Sequence, residues 1–129
     1  MSDSIDTTNA TLSELNNNLS SLSGDLSVKT ETLTSFSNST SGAIKIRKTG
    51  KVVNLNININ PTSQWNAQTR YPIGALPNEY RPKADIMEWR KFRHVDALFE
   101  LTASGVIAFT PYENIPAGYW TYINITYVI

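Results

Sequence analysis

The chain has no cysteine, which removes disulfides and thiolate metal sites and leaves the redox compartment open. Histidine is almost as scarce, since His94 stands alone. Net charge is also missing: eleven basic residues balance eleven acidic ones, and a pI near 6.6 does not describe a general nucleic-acid binder. No stretch approaches the roughly eighteen unbroken apolar residues of a membrane span. The acidic, polar N-terminus is unlike a signal peptide. Zinc patterns, calcium loops and glycine-rich phosphate cradles are all lacking.

These absences leave little from which to build an enzyme. His94 and Asp96 would share a face if both lay in one strand, an orienting pair for proton transfer. The plainer reading is a solvated histidine at a strand end. A glycosidase pair could be drawn from Asp85, Glu88, Asp96, Glu100 and Glu113, but nothing singles out two of them. No catalytic residue, metal ligand or cofactor is expected.

What the chain does have is divided near Gly42. All six Pro, all three Trp, all six Tyr and five of six Gly lie at or beyond that position. Residues 1–42 carry five acids and one Lys, and the remainder is basic by the same margin. Half of residues 1–36 are Ser, Thr or Asn, poor material for helix interiors. Yet Ile5, Leu12, Leu19, Leu26 and Leu33 form one heptad series, and Thr8, Leu15, Leu22, Lys29 and Phe36 form the other. A narrow apolar seam on a weak helix former predicts a parallel coiled coil over 1–36, folded only when chains associate. Thr8 and Lys29 are defects in that seam. The oligomerisation residues are then Ile5, Leu12, Leu15, Leu19, Leu22, Leu26, Leu33 and Phe36.

"SFSNSTSGA" (35–43) reads as the end of the helix, with a linker over 37–42. Beyond it, residues 43–129 read as the β-region, and its first two arms alternate with a period of two. Ile44 and Ile46 precede a Thr49-Gly50 turn, and Val53, Leu55, Ile57 and Ile59 interleave with Asn54, Asn56, Asn58 and Asn60. Further strands are expected at 85–92, 95–102, 106–110 and 120–129, with "YPIGALPNEYRP" (71–82) as an extended connection. Short strands with polar turns predict an all-β antiparallel sandwich or jelly-roll-like domain. Asparagine is disfavoured in strands, so the Asn54–Asn60 row is expected to serve a purpose, either across an interface or along a groove.

In order, "KTGKVVNLNININ", "IGALPNEYRPKADI", "ASGVIAFTP" and "IPAGYWTYINITYVI" resemble the small C-terminal β-domains of tailed-phage baseplate, tail-fibre and minor structural proteins from phages of Gram-positive bacteria. "LPNEYRP" is the most specific element. The resemblance implies a homotrimer on a helical stalk, carried in the virion's tail or baseplate after synthesis in the bacterial cytoplasm. Its implied partners are a host cell-wall or surface polysaccharide and other phage baseplate or tail proteins, without nucleic acid or membrane insertion. Only four residues precede Ile5, so any virion-anchoring domain is expected to be tiny, absent or removed from this sequence.

Saccharide recognition needs aromatic faces for the apolar side of a sugar and planar polar groups for its hydroxyls. The stretch 64–71 supplies Trp65, Asn66, Gln68, Arg70 and Tyr71, and the stretch 111–120 supplies Tyr112, Glu113 and Tyr119. Trp65 reads equally well as a core residue, and Trp120 reads better as one. "WRKFR" (89–93) reads chiefly as a strand with a cationic outer face. The first expectation is a receptor-binding or accessory adhesion module. The alternative is a structural virion module docking onto another phage protein, and a polysaccharide depolymerase is a distant third.

Overall fold

Alternation builds most of this chain. Val53, Leu55, Ile57 and Ile59 are fully buried, so Asn54, Asn56 and Asn58 between them take the opposite face of their strand. The same parity runs through Ile123, Ile125 and Tyr127 near the C-terminus, with Tyr122, Asn124 and Thr126 facing out. The computed structural model describes residues 27–129. It contains eight strands: β1 Val28–Leu33, β2 Thr40–Thr49, β3 Val52–Pro61, β4 Tyr71–Ala75, β5 Ile86–Phe92, β6 Val95–Leu101, β7 Val106–Pro111 and β8 Thr121–Val128.

They form two four-stranded antiparallel sheets, ordered β1-β2-β3-β8 and β4-β7-β6-β5. The first sheet joins β1, β2 and β3 to the C-terminal β8, and the second holds the four consecutive strands β4 to β7, with β4 paired to β7 rather than to β5. The fold is all-β and sandwich-like. Apolar residues from both sheets meet in one core, in which Phe92, Phe99 and Phe109 are wholly buried beside Ile57, Ile59 and Ile73. Among the described residues there is no α-helix, only one 3-10 turn at Asn78–Tyr80, and no helix that could cross a membrane.

The expected coiled coil followed by a β-head is corrected here. Val28–Leu33 is strand, paired with β2 from Val28↔Thr49 to Leu33↔Ile44. Lys29, Leu33 and Phe36, assigned to the helical seam, therefore belong to the β-domain. Leu33 and Phe36 pack against its core. The physical reason lies in "VKTETL": Val28, Thr30 and Thr32 are β-branched at a period of two, and β2 offers them an open edge. The other seam residues, Ile5, Leu12, Leu15, Leu19, Leu22 and Leu26, lie outside the described residues. The expected linker over 37–42 is likewise shorter, because β2 already begins at Thr40.

"YPIGALPNEYRP" divides between a strand, β4, and a plug. Beyond β4 the chain crosses the end of its sheet to reach β5, with Leu76, Tyr80 and Pro82 buried. The Leu76 amide donates to the Gly105 carbonyl at 2.9 Å, and Arg81 Nε donates to the Leu76 carbonyl at 3.0 Å. The Tyr127 hydroxyl donates to the Tyr80 carbonyl from across the core. Lys29 meets Glu79 at 3.1 Å, which holds the Glu79 carboxyl below its usual range and ties β1 to this plug. The most specific piece of the resemblance is thus a structural closure.

Candidate functional site

Four loops meet at the opposite end: the two sheet-to-sheet crossings β3–β4 (62–70) and β7–β8 (112–120), the β5–β6 turn (93–94) and the β1–β2 loop (34–39). The first two are the stretches that the sequence marked for binding, and they interlock. Trp65 and Ile115 exchange both backbone hydrogen bonds at 2.9 Å. The Ala67 amide donates to Asn114 Oδ1 at 2.8 Å. Gln68, in the left-handed region at φ 61°, donates its amide to the Pro111 carbonyl and Nε2 to the Tyr112 carbonyl. Each loop therefore satisfies the other's polar groups, which limits the freedom of both.

Trp65 lies at the base of this assembly and is 1% exposed. Its ring stacks on Tyr71 and meets Phe109 and Phe92, with centroids 5.1, 5.9 and 5.4 Å away. Its Nε1 donates to the Asn38 carbonyl at 2.9 Å. Trp65 is a core residue, and no face of it is open to a sugar. Tyr71 is half-buried over it, and its hydroxyl accepts the Asn66 amide at 2.7 Å.

The aromatic surface is built elsewhere, on the outer face of the second sheet. Phe92 points into the core at one end of β5, so Trp89 and Met87 face outward by parity. Trp89 is 62% exposed and Tyr112 is 59% exposed; their rings meet edge-on with centroids 6.5 Å apart. Trp89 stands abreast of Leu98, which stands abreast of Thr110, giving this surface an apolar floor. Arg70 and Glu100, 3.4 Å apart, flank it, and Lys91 and Asp96, 3.7 Å apart, close its other side. The result is two exposed rings with both signs of charge and the Gln68 amide at their margin.

The remaining expected residues divide between this surface and another. Asn66 and Glu113 are exposed on the interlocked loops. Tyr119 is half-buried and turned toward the β5–β6 turn, where the Arg93 guanidinium lies 4.6 Å from its ring centre and His94 lies 5.7 Å away. His94 sits exposed in that turn rather than beside Asp96, whose partner is Lys91. Among the described residues no group of three acidic or histidine side chains could hold a metal.

Trp120, expected in the core, is at the surface, as are Trp89 and Tyr122, for which the sequence suggested no site. Trp120 is 39% and Tyr122 71% exposed, stacked at 6.3 Å and 17° from parallel. The signal was present: buried Ile123, Ile125 and Tyr127 fix the parity that turns Trp120 and Tyr122 outward. Comparison with known proteins adds nothing here, because no family model and no curated protein matches the chain.

Proposed function

We propose that this chain is a non-catalytic saccharide-binding module of a tailed-phage tail or baseplate protein, acting as a homotrimer and carried in the virion. The supporting observation is the Trp89–Tyr112 surface: two exposed rings, one on β5 and one just beyond the end of β7, with Gln68, Arg70 and Glu100 at their edge. Rings of this kind stack on the apolar side of a pyranose, while amide, guanidinium and carboxylate groups take its hydroxyls. The resemblance carries the phage origin and the trimer. Three weak sites on one assembly would raise avidity without new contacts. The assignment is tested by incubating the protein with purified cell walls from a panel of bacteria. Sedimentation with some walls, at a solution mass three times 14.4 kDa, supports it; a monomer that sediments with none overturns it.

One observation favours docking onto another phage protein instead. Val28, Thr49, Val52 and Val128 lie abreast at one rim of the first sheet, and the three valines are 44–62% exposed. An apolar row of that kind suits a protein partner better than a sugar.

A further inference from the structure

The outer face of the first sheet has a chemistry unlike the Trp89 surface and lies on the opposite side of the sandwich. Strand register sets its side chains in rows: Lys45, Asn56 and Asn124 abreast in one, Arg47, Asn54 and Thr126 abreast in the next. Asn58 and Tyr122 begin a third, with Trp120 stacked on Tyr122 beyond them. Asn54 Nδ2 donates to Asn124 Oδ1 at 2.8 Å and to Thr126 Oγ1 at 3.0 Å. That bond fixes the Asn124 amide and leaves its NH2 group as a donor. The side chains of Asn56 and Asn58 make no hydrogen bond among the described residues, although asparagine is disfavoured in strands and weakens the sheet that carries it. Lys45 and Arg47 are exposed and form no ion pair among the described residues. No Asp or Glu of β1, β2, β3 or β8 shares their face, since Glu31 lies opposite Ile46 on the inner side.

We infer that this face is a second binding surface, taking an acidic polysaccharide laid across the strands. The amides would meet hydroxyls in pairs, the Trp120–Tyr122 stack would cover a sugar face, and Lys45 and Arg47 would meet the carboxylate or phosphate groups. Four strands at about 4.8 Å spacing give the surface a width of about 14 Å, enough for several polar contacts along one polymer. Two cations are few for nucleic acid, whose affinity depends on neutralising many phosphates. This inference does not depend on the Trp89 site, because different strands carry it.

The test is affinity electrophoresis of the full chain through polygalacturonate, a uronate polymer, and through a poly(glycerol phosphate), with single-stranded DNA as a third matrix. The expected result is retardation by one or both acidic polymers, weakened at least tenfold in Lys45→Gln/Arg47→Gln and in Tyr122→Ala and unchanged in Lys83→Gln, which removes an exposed cation away from both surfaces. Unchanged thermal unfolding of the variants shows that they fold. Retention of binding in those variants overturns the inference, as does retardation by neither polymer or equal retardation by DNA. Binding lost only with Trp89→Ala would assign the polymer to the other surface. A fall in assembly mass in the Lys45→Gln/Arg47→Gln variant would make the face an interface between copies, which also overturns it.

Discussion

Trp65 and Tyr71 lie ring on ring, 5.1 Å apart and 11° from parallel, and the first is sealed beneath the second. Both are aromatic loop residues of the kind that sugar sites use, yet their packing fixes the loops rather than presenting a face. Trp65→Ala is therefore expected to destabilise the fold by about 3–5 kcal/mol, as deleting a buried Trp generally does. Urea unfolding measures it. A variant of unchanged stability that has lost binding would show that Trp65 touches ligand after all.

Tyr127 and Tyr80 give the domain an alkaline limit. Burial, with the charges of Glu31 and Glu79, pushes the Tyr80 hydroxyl up to about 12, and burial raises Tyr127 as well. A group whose folded-state pKa exceeds its unfolded value of about 10 contributes its full stability below pH 10. That contribution is lost as pH climbs toward 12. The unfolding midpoint should hold steady to about pH 10 and then fall. Tyr127→Phe should flatten part of that fall and cost about 1–3 kcal/mol at neutral pH by leaving the Tyr80 carbonyl without its donor.

Two glycines should respond differently to alanine. Gly42 has φ +131°, and a Cβ there would sit 2.1 Å from the Asn58 carbonyl oxygen of the paired strand. Gly118 has φ +84° with nothing within 4 Å of a Cβ. Gly118→Ala should lose only the conformational part, about 1–3 kcal/mol. Gly42→Ala should lose clearly more, because β2 and β3 must separate. Equal midpoints in thermal unfolding would contradict this.

The strands were largely legible because burial on one face imposes a period of two, and that period is written in Val53–Ile59 and Ile123–Tyr127. The first strand was not. Leu33 fits a heptad as well as a strand, so only the β-branched Val28, Thr30 and Thr32 argued for extension, and the edge of β2 decided it. The meeting of the 64–71 and 111–120 loops was not legible either, since it depends on where two chain crossings fall. Which aromatic faces solvent follows from parity within a strand, so Trp89 and Trp120 could have been found. Trp65 lies in a loop, where parity gives no answer.

The central claim is that the exposed pair Trp89 and Tyr112 contacts saccharide. Its most direct measurement is the affinity of Trp89→Ala/Tyr112→Ala for the cell walls that the unaltered protein binds best. Truncating the central aromatics of a binding surface generally costs more than about 1 kcal/mol each, so at least a tenfold loss is expected. Both side chains are largely exposed, so the unfolding midpoint should barely move. Unchanged affinity in a folded double variant would contradict the account.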